Sequence, residues 1–324
     1  MESIIALRKL IDKRLAQLDP KAQPKNLYEP ISYLLALGGK RFRPLLVLLT
    51  AQLRGSLTSQ ILDPALALEV FHNFTLMHDD IMDAAPLRRG QPAVHEKWNQ
   101  NTAILSGDAM FVKAYQLITK INPIHLSLAM NRFNETALQV CEGQQLDMDF
   151  EQLSEVSQTD YLEMIRLKTA VLLGFSMELG GLMGGFDRKD QQRLYEIGEN
   201  LGLGFQLMDD YLDVYGDHQK VGKQVGGDII ANKKTFLMIN ALDIAGTDVR
   251  RQLNSWVSIR NVDPKEKVVA VKKIYDRLKI PDLVKIKMNA YFDKAFRLLK
   301  IIDCNKDGLE IFNHFARGLI VREG

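Results

Sequence analysis

The sequence predicts an all-α protein, a bundle of about ten or more helices, on the basis of three observations. Apolar residues recur at helical spacing in segment after segment, as at Leu162, Ile165 and Leu172. Alternating patterns that are typical of strands are scarce. Glycine and proline residues lie between the periodic segments, and on this basis Pro64 and Pro123 are each expected to separate two helices.

A single domain over residues 1–324 is expected, because the chain has no long linker rich in Ser, Pro or Gly and no repeat of fixed period. Of the residues, 46% are hydrophobic and 25% are charged, which excludes a disordered or low-complexity chain. The 42 Lys and Arg residues nearly balance the 40 Asp and Glu residues, so no nucleic-acid partner is expected.

The compartment expected from the sequence is the cytoplasm. The first twenty-one residues carry charges at every third or fourth position, which predicts an amphipathic helix rather than a signal peptide. No apolar run approaches the roughly 20 residues that cross a bilayer, so no membrane span is predicted. Cys141 and Cys304 lie far apart and outside any metal-binding spacing, so neither a disulfide scaffold nor a zinc site is expected.

Two aspartate clusters with the same spacing are the main functional signal. In each, three carboxylates lie at i, i+1 and i+4 near the polar end of an apolar helix, where they share one face and repel each other. Carboxylates without His or Cys partners suit Mg²⁺, which commonly shares its coordination shell with substrate phosphates. Two such rims facing across a bundle would clamp a diphosphate through metal ions. The clusters are Asp79, Asp80 and Asp83, and Asp209, Asp210 and Asp213.

Other cofactor sites fit the sequence less well. Glu69 and His72 form one ExxH pair on a helix, but the second pair that a di-iron site requires is absent. The stretch from Gly216 to Lys223 has one residue too many for a nucleotide P-loop and lacks the Ser or Thr that should follow. A solvated helix end would explain one lone cluster of aspartates more readily than two.

Cationic residues accompany the aspartates. Arg88 and Arg89 follow the first cluster directly, and the segment GGKRFRP supplies Lys40, Arg41 and Arg43 at the start of a helix. Guanidinium groups bind phosphate oxygens in bidentate fashion, and a helix N-terminus adds its own positive end. The sequence therefore predicts a phosphate cradle formed by these three cations.

Together these motifs resemble the short-chain trans-isoprenyl diphosphate synthases of the polyprenyl synthetase family. GGKRFRP, HNFTLMHDDIMD with the later RRG, a KT pair, FQLMDDYLD and a GK to NKKT stretch occur in the family's order and at its spacings. The resemblance implies the isoprenoid synthase fold, a homodimeric helical bundle around a central cavity. It also implies a prenyltransferase that adds isopentenyl diphosphate head to tail to an allylic diphosphate (dimethylallyl, geranyl or farnesyl) and releases pyrophosphate.

The resemblance also implies residue roles. The six aspartates would bind about three Mg²⁺ ions, for which Mn²⁺ can substitute, and these ions would grip the allylic diphosphate. The resemblance adds Arg88, Lys168, Lys223 and Lys233 to that grip. The diphosphate of isopentenyl diphosphate would be held by Lys40, Arg43, His72 and Arg89. Thr169 and Gln206 match positions beside the allylic carbon. The length of the loop after Lys223 leaves open whether Lys233 or Lys234 is the equivalent lysine.

Product length is predicted from residues that precede Asp79 on its helix. Thr75, Phe74 and Phe71 lie four, five and eight places earlier, and at about 1.5 Å per residue the two phenylalanines lie roughly 7 and 12 Å below Asp79. A single aromatic at the position of Phe74 resembles the synthases of the twenty-carbon product. Geranylgeranyl diphosphate is therefore favoured, farnesyl diphosphate is the alternative, and simple packing of the phenylalanines stays open.

Two further functions are more remote. A class I terpenoid cyclase would use the same metal-triggered ionisation but needs no second diphosphate site, which Lys40, Arg43 and Arg89 supply. A non-catalytic partner subunit should have lost carboxylates from one cluster, and both clusters are complete.

Overall fold

The computed structural model describes residues 3–18, 22–55, 59–216, 226–259 and 262–320, and the all-α prediction is confirmed. Two short strands, β1 (Leu87–Arg88) and β2 (Gln91–Pro92), form an antiparallel hairpin, and a π-helical turn spans Arg166–Ala170. No helix among the described residues is both long and apolar enough to span a bilayer. The helices are α1 (Ile4–Leu15), α2 (Lys25–Ala36), α3 (Phe42–Gln52), α4 (Ser59–Met82), α5 (Val94–Lys97), α6 (Gln100–Ile118), α7 (Pro123–Gln152), α8 (Gln158–Ile165), α9 (Val171–Met183), α10 (Arg188–Tyr215), α11 (Gly227–Ile230), α12 (Phe236–Ile244), α13 (Thr247–Ser258), α14 (Pro264–Arg277), α15 (Ile280–Leu299) and α16 (Lys306–Ile320).

The chain divides into two compact units. Unit 1 consists of the described residues within Met1–Asn134, Phe175–Tyr195 and Ile302–Arg317. Unit 2 consists of those within Glu135–Gly174, Glu196–Ile301 and Gly318–Gly324. The single domain expected from the sequence stays a prediction.

In unit 1, α4 forms a buried axis that ends at the first aspartate cluster. Its residues Ala65, Leu66 and Leu68 are fully buried, since the run ALALEVF is apolar on almost every side. Pro64 lies inside α4 and does not separate two helices, so that expectation is wrong. A proline in the second turn costs only the hydrogen bond to the carbonyl of Gln60, and the buried segment that follows stabilises the helix.

In unit 2, α10 carries the second aspartate cluster at its C-terminal end. Its Leu207 packs into a core with Leu237 of α12 and Tyr275 of α14, and all three are at most 1% exposed. The apolar residues of α10 face this core, which leaves the carboxylates to its final turns. The helix is therefore fixed in rotation by burial, and its aspartates are fixed with it.

Candidate active site

The first aspartate cluster lies where α4 ends, as predicted. The helix ends at Met82, and the N–H of Asp83 donates to the carbonyl of Asp79 at 2.8 Å, so the last turn carries all three carboxylates. The side chain of Asp80 is buried, that of Asp79 is 20% exposed, and Asp83 is exposed. The cluster therefore runs from the interior to solvent.

Arg88 is the direct partner of the buried carboxylate. Its Nε donates to the two oxygens of Asp80 at 2.9 and 3.0 Å, its Nη2 also contacts Asp80, and Nη2 lies 3.7 Å from Asp79. Burial raises the pKa of Asp80, and the guanidinium of Arg88 opposes that rise. Asp80, a predicted Mg²⁺ ligand, is thus neutralised by Arg88, which is predicted to bind the allylic diphosphate.

A tight hairpin turn separates Arg88 from Arg89. Arg88 pairs with Gln91 across β1 and β2, which leaves Arg89 and Gly90 as the two turn residues. Their φ angles, 54° and 74°, are both positive, as a type I′ turn requires. The Arg89 guanidinium donates to the carbonyl of Gly38 and lies against Gly39, where a Cβ would come 3.0 Å from Nη2. The two neighbouring arginines therefore have different partners.

A cationic cluster surrounds His72 on α4. Burial and the nearby guanidinium groups of Arg43, Arg89, Arg88 and Arg41 lower the pKa of His72 well below 6.5, so the ring is neutral at neutral pH. Burial also lowers the pKa of Arg43 to about 10, and its buried Nε has no hydrogen-bond partner. A buried N–H donor without a partner beside other cations suits an anion with several acceptor oxygens. Lys40 lies two residues before Phe42, with its Nζ 5.7 Å from the centre of that ring.

The contacts of Arg41 do not support the prediction that this residue belongs to a phosphate cradle of three cations. Its guanidinium is buried and donates to Asp12 and Glu69, each at 2.9 Å, and to the carbonyl of Leu35 at 2.8 Å. All of these partners belong to the protein itself. Arg41 is therefore removed from the set of phosphate-binding candidates, whereas Lys40 and Arg43 stay in it.

The second aspartate cluster is built around the buried Asp210 in unit 2. The hydroxyl of Tyr161 donates to its Oδ2, and Gln206 Nε2 donates to Oδ1 at 3.3 Å. Burial and the nearby Asp228 raise the pKa of Asp210 to about 8. Asp209 is exposed, and Asp213 Oδ2 accepts the backbone N–H of Asp228 at 3.0 Å.

The donor chemistry of these clusters fits Mg²⁺. Asp210 is buried and Asp228 is a nearby, partly buried carboxylate, and a hard divalent cation would relieve their repulsion. Within the described part of the chain, no group of three acidic, His or Cys side chains converges closely enough to hold a metal by itself. Mg²⁺ does not require such a cage, because it is commonly bound by one or two carboxylates together with water and substrate phosphates.

The π-helical turn Arg166–Ala170 carries Lys168 and Thr169. The N–H of Val171 donates to the carbonyl of Arg166, which is the i to i+5 bond that defines the turn. Lys168 Nζ lies 2.6 Å from an Asp147 carboxylate oxygen, and Thr169 Oγ1 donates to Gln206 Oε1 at 3.2 Å.

Two glycines allow neighbouring helices to approach this turn. A Cβ on Gly143 of α7 would overlap the backbone of Lys168, and a Cβ on Gly202 of α10 would overlap Ala170. The π-helical turn is therefore packed against α7 and α10 within unit 2.

A cavity of about 120 Å³ in unit 2 joins five of the predicted residues. The sequence predicts no role for Tyr161, Asp147 or Asp228. Their signals are weak, since a lone tyrosine or aspartate on a helix has many ordinary explanations. The predicted residues on its wall are Lys168, Thr169, Gln206, Asp210 and Lys233, and Tyr161, Asp147, Asp228 and Lys234 also line it.

Both candidate lysines of the NKKT segment border this cavity. Lys234 Nζ donates to the carbonyl of Phe150 at 2.6 Å, at the C-terminal end of α7, and reaches that of Glu151 at 3.4 Å. This contact ties Lys234 to the backbone of α7, and the choice between Lys233 and Lys234 as the equivalent lysine stays open. Lys223 lies outside the described residues.

The residues predicted to set product length belong to an aromatic cluster in unit 1. Phe71 is fully buried, with ring centres 5.6 Å from Phe74 and 5.9 Å from Phe111 of α6. Phe74 stacks on Phe111 at 5.0 Å. The Thr75 hydroxyl donates to the carbonyl of His72 at 2.8 Å. The rings thus pack together beside α4, and their effect on product length stays a prediction.

Comparison with known proteins decides the family. The family model described as "polyprenyl synthetase" matches residues 24–277, which is more than half of the chain. The chain belongs to the polyprenyl synthetase family. As a polyprenyl synthetase it is an enzyme that transfers prenyl groups, so the predicted family and reaction class are confirmed.

Individual members of the polyprenyl synthetase family are similar to this chain over most of its length. A geranylgeranyl diphosphate synthase of Methanosarcina mazei is 41% identical over 235 residues, which is 72% of each chain. A geranylfarnesyl diphosphate synthase of Natronomonas pharaonis is 37% identical over 77% of this chain and 78% of its own. A crystal structure of a geranylgeranyl pyrophosphate synthase superimposes with a TM-score of 0.95, 40% identity and full coverage of both chains.

Proposed function

We propose that this polyprenyl synthetase condenses isopentenyl diphosphate with allylic diphosphates to give geranylgeranyl diphosphate and pyrophosphate. The observation that supports this most directly is the cationic cluster around His72, where Arg43 has a buried Nε without a partner. Of the guanidinium groups near His72, that of Arg88 pairs with Asp80, whereas those of Arg43 and Arg89 do not. A second diphosphate therefore has its own set of donors, which a single-substrate cyclase does not need.

The residues divide the chemistry between them. Asp79, Asp80, Asp209 and Asp210 would hold Mg²⁺, and the ion would supply positive charge that stabilises the departing pyrophosphate. Lys168 and Lys233 line the unit 2 cavity and stabilise the same oxygens directly. Asp83 and Asp213 would complete the set of Mg²⁺ ligands. Arg88 and Lys223 would bind the allylic diphosphate.

Thr169 and Gln206 orient the reacting end of the allylic substrate. Thr169 donates to Gln206, and Gln206 donates to Asp210, so one hydrogen-bonded chain links the hydroxyl to the metal-binding carboxylate. Their oxygens face positive charge that develops on the allylic carbon. The pyrophosphate just released accepts the proton that is lost at the end of the reaction.

Lys40, Arg43, His72 and Arg89 hold isopentenyl diphosphate. A neutral His72 contributes as a hydrogen-bond partner without adding a further charge, while the guanidinium groups supply the positive potential. Arg89 is fixed by the carbonyl of Gly38, which places it beside the segment that carries Lys40 and Arg43.

Product analysis tests this function. The enzyme is incubated with Mg²⁺, isopentenyl diphosphate and each of the dimethylallyl, geranyl and farnesyl diphosphates, and the dephosphorylated products are separated by chromatography. We expect a twenty-carbon alcohol from all three. A fifteen-carbon or twenty-five-carbon main product would contradict the product assignment, and a hydrocarbon formed without isopentenyl diphosphate would instead support a cyclase.

We also propose that the enzyme acts as a homodimer in the cytoplasm. The family resemblance supports the dimer, and light scattering should give about twice the 36.8 kDa of one chain. A mass of one chain at micromolar protein would contradict it.

A further inference from the structure

The cradle loop, residues 38–41, leads into α3 and has an unusual backbone. Of the proposed isopentenyl diphosphate ligands, Lys40 lies in this loop and Arg43 in the first turn of α3. Gly38, Gly39 and Arg41 have φ angles of 81°, 139° and 52°. Glycine adopts such angles readily, but arginine does not, and a side chain in this region persists only where its surroundings hold it. The position of Lys40 in the loop, and that of the first turn of α3 with Arg43, therefore depends on what holds Arg41, the residue that precedes the helix.

Arg41 is held by three elements of unit 1. Its Nε donates to Asp12 of α1, its Nη1 to Glu69 of α4, and its Nη2 to the carbonyl of Leu35 near the end of α2. Each of the three guanidinium nitrogens therefore donates one hydrogen bond to a group of the protein. The side chain is 3% exposed, as is that of Glu69, whereas that of Asp12 is 50% exposed.

Glu69 is itself committed to this arrangement. Besides Arg41, its Oε1 accepts from Asn73 Nδ2 at 3.3 Å, and Asn73 also donates to the carbonyl of Glu69 at 2.8 Å. The carboxylate is thus fixed on α4 three residues before His72. The same carboxylate holds the loop through Arg41 and belongs to the helix that carries the imidazole.

We propose that Arg41 is a positioning residue for the isopentenyl diphosphate site. Arg41 is held in place by Asp12 and Glu69 and does not itself contact substrate. This proposal rests on the proposed function of the cationic cluster. It assigns the three cations of GGKRFRP to two tasks: Lys40 and Arg43 bind the anion, and Arg41 fixes the loop that carries Lys40 and leads into the helical turn of Arg43.

The charge of Asp12 makes the proposal testable by the sign of an effect. Removing a negative charge near an anion-binding site strengthens the binding of an anion by Coulomb's law alone. Releasing the loop weakens that binding, because Lys40 and Arg43 are then less well placed. Asp12→Ala therefore separates a direct charge effect of Asp12 from a positioning role of Arg41. Only the positioning role predicts weaker binding of isopentenyl diphosphate in this variant.

The experiment compares Asp12→Ala with Asp63→Ala in the full chain. Asp63 also lies in unit 1 and accepts from Arg14 at 2.8 and 2.9 Å, but it does not contact the cradle loop. We expect Asp12→Ala to raise the KM for isopentenyl diphosphate about fivefold, with the allylic KM and kcat changed less than about twofold. Asp63→Ala should leave all three within about twofold.

Hydrogen exchange gives a second readout that does not depend on turnover. The amides of residues 38–41 should exchange faster in Asp12→Ala than in the wild type or in Asp63→Ala. A more severe variant, Glu69→Gln, should show the same KM split with a rise of at least about tenfold.

An unchanged or lower KM for isopentenyl diphosphate in Asp12→Ala, with unchanged exchange of the loop amides, would overturn the proposal. So would an equal rise in both KM values, because that indicates general loss of structure. The proposed function fails separately, if the wild-type enzyme forms no product that depends on isopentenyl diphosphate.

Discussion

The guanidinium of Arg88 and the carboxylate of Asp80 form a bidentate pair at the end of α4, with Nε to oxygen distances of 2.9 and 3.0 Å. Both groups are proposed to act on the allylic diphosphate and its metal ions. A metal ion held by Asp80 would compete with Arg88 for the same carboxylate oxygens. The Arg88 guanidinium would then be available to bind a diphosphate.

The first prediction separates Arg88 from Arg89. Arg89→Ala should raise the KM for isopentenyl diphosphate at least about tenfold, because it removes a donor from that site, and should change the allylic KM much less. Arg88→Ala should instead lower kcat and alter the Mg²⁺ requirement, because Asp80 loses its partner. Steady-state kinetics with each substrate varied in turn checks both. Equal effects of Arg89→Ala on the two substrates would contradict the assignment.

The second prediction concerns the metal ligands. Asp79→Ala and Asp209→Ala should each reduce turnover at least about a hundredfold at saturating Mg²⁺, since the loss of a carboxylate ligand weakens the hold on the ion. Both residues are partly exposed or exposed, so the helical circular dichroism should be kept. The exposed Asp248→Ala serves as a control and should retain activity. Turnover within a few fold of wild type in either variant would rule out the metal role.

The third prediction concerns product length. Phe74→Ala with Phe71→Ala should give products longer than twenty carbons, because the two rings pack together below Asp79, where they are predicted to limit product length. Phe71 is fully buried, so Phe71→Ala alone should destabilise unit 1 by about 3–5 kcal/mol, and Phe74→Ala is the milder variant. Product chromatography and thermal melts are measured on the same samples. Unchanged product length in the folded double variant would mean that the rings serve packing only.

The fourth prediction concerns the contact of α7 with the π-helical turn. Gly143→Ala should lower kcat at least about tenfold, since a Cβ there overlaps the backbone of Lys168 and displaces Lys168 and Thr169. Gly318→Ala is a matched change within a helix where the new methyl group meets open space. That control should be neutral or slightly stabilising. Loss of activity in both variants alike would remove the argument from close approach.

The helices and the aspartate clusters were accessible from the sequence because their signals are local. An i, i+1, i+4 pattern next to an apolar run fixes both the helix and the face that the carboxylates share. Pro64 misled the expectation because a local breaker rule competes with burial, and burial of the following turns of α4 prevailed.

The parts that the sequence did not provide depend on contacts between distant segments. Tyr161 meets Asp210 across 49 positions, and Arg41 meets Glu69 across 28, so neither pair has a local pattern. Arg41 resembles its cationic neighbours in sequence, and only its burial shows that it serves the loop. The sequence thus indicated which residue types gather at the site, but not which of them hold the others in place.

The type I′ turn at Arg89 and Gly90 has a consequence for insertions and deletions rather than for substitutions. Arg88 is the last residue of β1 and Arg89 is the first residue of the turn, so the two-residue turn fixes the directions in which both side chains leave the hairpin. A change in the length of the turn alters those directions. Arg88 would then no longer contact Asp80, and Arg89 would no longer contact the carbonyl of Gly38. The spacing of this arginine pair is therefore less free to change than the chemical nature of the residues around it.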